Sequence, residues 1–335
     1  MLPYRPHPLL RSGHLQTLML GLHLGHRPPH RAEAIEVQLD DGERLIVHEE
    51  IGSPLDEDTP TAILVHGLGG NHRSPYLQRI AHELRKAGLR VWRVDLRGSG
   101  AGLKLAWRPA HAGSSHDLAA VVRAAQLRYP NSPLRLAGFS LGGNILLKML
   151  GEANHGPLAN QLDVSSIEFA LAVAPPVNLF DCADNMDRFS RRIYTKYYLK
   201  VLGKQVDQRR EIWPAWQAIG RTPEVRTIRE FDARYTAPLS GFRDTNHYYG
   251  VASADQWLPY VRTRCIILVD RYDPIVTASS IENAKFDSKY VQLEYSSRGG
   301  HLGYLGLDDN GRSIRWMDYY VEQRLLDAQG ACVNS

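Results

Sequence analysis

Apolar positions along this sequence fall into short blocks that alternate with stretches in which they recur every three or four residues. The clearest case runs from Leu134 to Leu150. A short apolar run over 134–139 reads as a buried strand, and Leu141, Ile145 and Met149 follow at helical spacing. The same pairing appears at 61–65, with Tyr76, Leu77, Ile80, Ala81 and Leu84 behind it and Gly88 as a stop. Residues 89–96 predict another strand. A helix is expected from Ser114, where Asp117 three residues on makes a capping-box-like start ahead of Leu118, Val121, Val122 and Ala125. Residues 167–174 predict a further strand, closed by Pro175 and Pro176. Near the start, Ile35, Val37 and Leu39 alternate, Asp40-Asp41-Gly42 follows, and Leu45 and Val47 resume the alternation, which predicts a β-hairpin.

Two regions depart from this rhythm. Residues 1–30 are rich in Pro, His, Arg and Leu without a sustained period and read as an irregular arm, with at most a helical turn around 15–20. Residues 177–260 are rich in aromatic and basic side chains, and Phe189, Ile193, Tyr197 and Val201 form one helical stripe expected to pack inward. This stretch reads as an inserted, mostly helical cap. The alternation resumes with a strand at 264–269, a helical stretch at 279–284, a strand at 291–295 and a helix over 313–327. Strands alternating with helices imply a mostly parallel central sheet covered on both faces. The expected division is an arm at 1–30, an α/β core at 31–176 and 261–335, and the cap at 177–260.

Composition narrows the function classes. The 335 residues are 43% hydrophobic and 23% charged, which suits a globular protein with a sizeable core. A net charge of +4 does not call for nucleic acid, and no nucleic-acid partner is expected. Cys182, Cys265 and Cys332 are odd in number and widely spaced, so neither a disulfide framework nor a zinc cluster is suggested. The run from Leu18 to Leu24 is short and broken by Gly21 and His23, and no stretch approaches the roughly 20 apolar residues of a membrane span. A cytoplasmic setting is the expectation, with Arg191, Arg192, Lys196 and Lys200 as candidates for weak contact with a membrane surface.

Candidate chemistry lies where predicted strands end. Gly138-Phe139-Ser140-Leu141-Gly142 joins a strand to a helix by a turn too sharp for side chains two residues either side of Ser140, and the helix aims free N–H groups at the same spot. A serine hydroxyl needs a base, the base needs an acid to hold its tautomer, and an oxyanion needs fixed donors. His301, after Gly299 and Gly300, is the candidate base, and Asp273 the candidate acid, with Asp270 its rival. The backbone N–H groups of Leu68 and Leu141 are the candidate oxyanion donors. The glycines at 67, 69 and 70 could instead cradle a phosphate, but they match neither a dinucleotide fingerprint nor a P-loop, and His66 beside them reads as structural. No cofactor and no metal are called for.

These stretches resemble a known family, the α/β-hydrolases grouped with bacterial YheT and plant EMB8. The resemblance rests on Gly13-His14-Leu15-Gln16-Thr17, His66 to Gly70, Ser74-Pro75-Tyr76, Arg97-Gly98, Gly138 to Asn144, Ile228 to Asp232, Tyr248-Tyr249 and Gly299 to Gly303. It implies an α/β-hydrolase fold and a charge relay at Ser140, Asp273 and His301. It also implies a serine esterase or lipase-like activity on small acyl esters or lipids through an acyl-enzyme. Transfer of the acyl group to an alcohol and a non-catalytic binding role are the alternative readings.

Overall fold

The computed structural model describes residues 3–21, 28, 31–219 and 225–329. Residues 22–24 of the early apolar run and Cys332 lie outside the described residues. The chain opens with helix α1 (Gly13–Gly21), so the arm expected to be irregular carries two regular turns. Strands β1 (Ala32–Gln38) and β2 (Arg44–Glu50) form the antiparallel hairpin, turning where Gly42 takes a φ of 87°.

Strand β3 (Thr61–Val65), helix α2 (Pro75–Lys86), strand β4 (Arg90–Asp95), helix α3 (Ser115–Arg128), strand β5 (Leu134–Phe139), helix α4 (Leu141–His155) and strand β6 (Ile167–Val173) follow in strict alternation. After β6 come helices α5 (Leu179–Asp187), α6 (Arg192–Arg210), α7 (Pro214–Ala218), α8 (Ile228–Phe231), α9 (Ala237–Leu239) and α10 (Thr245–Ala252). The alternation returns with β7 (Cys265–Asp270), α11 (Ala278–Glu282) and β8 (Val291–Ser296). A small hairpin, β9 (Leu305–Leu307) and β10 (Ser313–Arg315), leads into α12 (Trp316–Leu326). The closing helix therefore begins three residues later than its sequence pattern suggests, because 313–315 pair with β9.

Among the described residues, eight strands form one sheet in the order β1-β2-β4-β3-β5-β6-β7-β8, parallel from β4 to β8. Its central strands are buried throughout, which is why they read as apolar runs and not as alternations. Each face carries a core. Val121, Ile145, Leu146 and Met149 of α3 and α4 pack on one side, and Leu77, Ile80 and Leu84 of α2 with Tyr320 and Val321 of α12 on the other. Burying each large aliphatic side chain here contributes roughly 1.5–3 kcal/mol.

Two local expectations are corrected. Ser114 makes no side-chain cap on α3; its Oγ accepts the His111 N–H at 3.1 Å, and Asp117 is drawn into an ion pair with Arg97. Of the stripe, Phe189, Ile193 and Tyr197 face outward, with Phe189 81% exposed, and Val201 is half-buried against Gly69, while Tyr194, Leu202 and Val206 form the buried face of α6. The α6 sequence carries two apolar stripes, and periodicity alone does not say which one the core takes.

Candidate active site

Parallel strands deliver their loops to one edge of the sheet, and the residues of interest stand directly after β3, β5, β7 and β8. At the end of β5, Ser140 has a φ of 51°, a left-handed conformation that a serine adopts only under constraint. The constraint is steric. A Cβ on Gly138 would lie 2.4 Å from the Gly142 carbonyl oxygen, and one on Gly142 2.5 Å from that of Val65. The Ser140 N–H donates to the Val173 carbonyl at 2.8 Å, and α4 starts at the next residue. Asn144, one turn into α4, donates to the Ala112 and Ala252 carbonyls and accepts the Ala254 N–H, tying the elbow to the cap.

His301 lies 2.9 Å from Ser140, Nε2 to Oγ, and its Nδ1 lies 2.8 Å from Asp273 Oδ2. His301 is 1% exposed. The other Asp273 oxygen accepts the Ile275 and Val276 N–H groups at 2.7 and 3.0 Å, which fixes the carboxylate plane. Asp270 points elsewhere: it accepts the Ser296 hydroxyl and the Gly299 N–H, and burial pushes its carboxyl above the usual range. It holds the loop that carries His301, while Asp273 reaches the ring itself. Asn185 of α5 donates to the Pro274 and Ile275 carbonyls, so the cap also braces the Asp273 turn.

The Leu68 and Leu141 N–H groups donate to no acceptor among the described residues. Gly67 brings the β3 loop against the serine, since a Cβ there would lie 3.2 Å from that of Ser140. His66 braces this loop: its Nδ1 pairs with the Gly67 carbonyl at 2.8 Å, and its Nε2 accepts the Leu96 N–H at 3.2 Å. Burial lowers its pKa, which keeps the ring neutral.

Sequence reasoning missed two supports. The first is α1. Thr17 Oγ1 accepts the His301 N–H at 2.8 Å, Gln16 bonds the Leu305 backbone in both directions, and a Cβ on Gly300 would lie 2.2 Å from the Gly13 carbonyl. The Gly13 to Thr17 motif thus holds the loop that carries His301. The second is a buried cluster in which Asp95 receives both His48 and His72. These three side chains are close enough to share a metal ion. They line neither of the two cavities at Ser140, and both histidines direct a nitrogen at the same carboxylate oxygen.

Two cavities meet at Ser140. A chamber of about 130 Å³ under the cap is lined by Leu141, Met186, Leu202, Trp216, Phe231 and Tyr235 among others. One carboxyl, Asp232, faces it; burial pushes that group up to about 6, and it accepts the Tyr249 hydroxyl at 2.8 Å. An open cleft of about 600 Å³ runs from Ser140 and His301 past Tyr194, Tyr197, Arg73, Arg79 and Arg315.

The mostly parallel sheet with a strained serine elbow is an α/β-hydrolase fold, and residues 60–200 match the family described as the alpha/beta hydrolase fold. The curated proteins this chain resembles include YheT and EMB8, and others named as lipases. It is 28% identical to YheT of Escherichia coli K12 over 74% of this chain and 71% of that protein. It is 30% identical to the phospholipase ABHD3 of Mus musculus over 73% of this chain, but spans only 58% of that relative's length. Among solved structures, the esterase Pf2001 of Pyrococcus furiosus shares the fold with a TM-score of 0.55 at 16% identity, over 91% of this chain and 93% of that one. No helix among the described residues is long and apolar enough to cross a membrane.

Proposed function

We propose that this protein hydrolyses carboxylic esters through an acyl-enzyme on Ser140, with His301 as base, Asp273 as the acid that orients it, and the Leu68 and Leu141 N–H groups as oxyanion donors. His301 Nε2 takes the Ser140 proton as Oγ bonds to the substrate carbonyl carbon. The oxyanion that develops meets the two free N–H groups. Collapse breaks the carbonyl carbon to alcohol oxygen bond, and the alcohol leaves with the proton from His301. Water then adds with His301 as base, releasing the acid and restoring the serine.

The observation that carries this reading is the single imidazole bridging Ser140 and Asp273 at 2.9 and 2.8 Å where two cavities meet. The apolar chamber under the cap suits the acyl chain, and the larger, arginine-lined cleft the alcohol part. Hydrolysis, not transfer to an alcohol, is the reaction that similarity to proteins named esterase, lipase and phospholipase supports. The arm over 1–30, the core and the cap over 177–260 act in this reading as brace, catalytic scaffold and chamber wall. Cys182 and Cys265, free thiols pushed up to about 12 by burial, suit a cytoplasmic setting. Exposed Phe189, Ile193 and Tyr197 beside Arg192, Lys196 and Lys200 support a weak contact with anionic lipid, which salt-dependent binding to anionic vesicles would test.

The decisive experiment is hydrolysis of p-nitrophenyl esters from acetate to palmitate by wild type and Ser140→Ala, with fluorophosphonate labelling alongside. Turnover and labelling that both vanish in the variant support the reading. Equal turnover in the two proteins, or folded wild type that neither turns over nor labels, overturns it.

A further inference from the structure

Helix α6 of the cap meets the two cavities along one of its faces. Leu202 lines the chamber, Val201 lines the cleft, and Tyr198, one turn earlier on the same face, lines both. Among the described residues, the others shared by the two linings are Ser140, Ile275 and the Gly67 to Gly69 loop that carries the Leu68 N–H. The helix lies so close to that loop that a Cβ on Gly69 would be 2.6 Å from Val201 Cγ1. Tyr198 therefore stands at the junction of the cavities, beside a candidate oxyanion donor. Its hydroxyl differs from those of the neighbouring tyrosines. The Tyr76 hydroxyl accepts the Gly67 N–H, that of Tyr248 accepts the Ala112 N–H, that of Tyr249 donates to Asp232, and that of Tyr194 pairs with His14. The Tyr198 hydroxyl makes no hydrogen bond to a described residue, although the side chain is half-buried. Nor is it sealed inside the protein, so the space beside it is that of the cavities it lines. Burial, then Tyr197 and Asp273, raise its pKa, so the phenol keeps its proton and is a donor.

The oxyanion of a tetrahedral intermediate has a lone pair to spare once two backbone donors have met it. We infer that the Tyr198 hydroxyl is a further oxyanion donor, delivered by the cap, which hydrogen-bonds the substrate's carbonyl oxygen as negative charge develops there. This rests on the ester-hydrolase reading above and adds a catalytic residue to it. No proton leaves the phenol: the Ser140 proton still passes through His301 to the alcohol oxygen, and the acyl carbon to oxygen bond breaks as before. A donor aimed at developing charge binds the transition state more tightly than the substrate, so its effect falls on kcat and not on KM. Tyr198 is on α6, whereas Leu68 and Leu141 belong to the core. The oxyanion site is thus complete only while α6 lies against Gly69.

Tyr198→Phe in the whole protein removes the hydroxyl and keeps the ring, and because the hydroxyl has no partner the thermal midpoint should not move. On p-nitrophenyl butyrate and on ethyl butyrate alike, kcat and kcat/KM should fall together by about 10- to 100-fold, with KM nearly unchanged. The second readout is an alkyl trifluoromethyl ketone, which takes Ser140 as a hemiketal oxyanion and has no leaving group. Its inhibition constant should rise by about the factor that kcat/KM loses. An inhibition constant does not depend on how much of the protein is folded, so a partly unfolded variant does not blur this arm. Equal kcat in the two proteins overturns the proposal and leaves the esterase reading standing. A loss confined to the ethyl ester, whose alcohol leaves poorly, puts the hydroxyl on the alcohol oxygen and also overturns it. A loss that falls on KM, with ketone inhibition unchanged, makes Tyr198 a wall of the cavities only, and overturns it too. Absence of Ser140-dependent turnover in wild type overturns the esterase reading itself.

Discussion

Among the described residues, two buried aspartates each hold histidine, and one of the two arrangements lines a cavity at Ser140 while the other lines neither. Asp273 gives one oxygen to two backbone N–H groups and the other to His301 Nδ1. The backbone N–H of His301 is held separately, by Thr17. The ring is therefore anchored from two directions, and its Nε2 remains for Ser140. Asp95 instead takes the His72 N–H on Oδ1, and His72 Nδ1, His48 Nε2 and the Ala101 N–H on Oδ2. The two imidazoles stack with centroids 3.5 Å apart and line neither of the two cavities at Ser140. An Asp–His pair is thus not a catalytic signature by itself. What the second nitrogen faces decides its use.

The largest expected effect is at the serine. Ser140→Ala should lower kcat by about 10⁴-fold or more with an unchanged thermal midpoint, since members of a nucleophile–base unit fail together. Asp273→Asn should cost about 10³- to 10⁴-fold in kcat if its role parallels that of the serine-protease aspartate. Asp95→Asn should reverse the pattern, lowering stability by about 3 kcal/mol while kcat measured below the melting transition falls less than about tenfold. Comparable kcat losses in the two Asn variants would break the distinction drawn here.

pH sharpens the comparison further. Burial alone would raise the Asp95 carboxyl, but hydrogen bonds from His48 and His72 outweigh it and hold the group well below the usual carboxylate range. A depressed folded pKa means stabilisation that is complete above the unfolded value near 4 and is lost as pH falls below it. Urea midpoints between pH 6 and 3 should therefore drop more steeply for wild type than for Asp95→Asn. The smallest effect is expected at Thr17. Thr17→Val should reduce kcat by about tenfold or less by loosening the His301 loop, and Thr17→Ser should restore it.

The sheet was legible because parallel strands buried on both faces must be apolar throughout, and β3, β5 and β7 stand out for that reason. The elbow was legible because glycine at 138 and 142 is a steric requirement of one turn, and such requirements are local. The choice between Asp270 and Asp273 was not local. Both follow β7 within three residues, and only the path of the β8 loop brings His301 to one of them and Gly299 to the other.

The same limit explains α1 and α6. Nothing within Gly13 to Thr17 says that it will brace residues almost three hundred positions later, and nothing within α6 says that its Tyr194 face packs inward while Phe189 and Ile193 stay exposed. By itself the sequence determined the order of strands and helices, the strained turn at Ser140 and the residue types available for chemistry, because spacing and sterics act over a few residues. Tertiary structure alone decided which carboxylate meets which imidazole, which helix face is buried and which side of Ser140 is basic, because those depend on elements far apart in the chain.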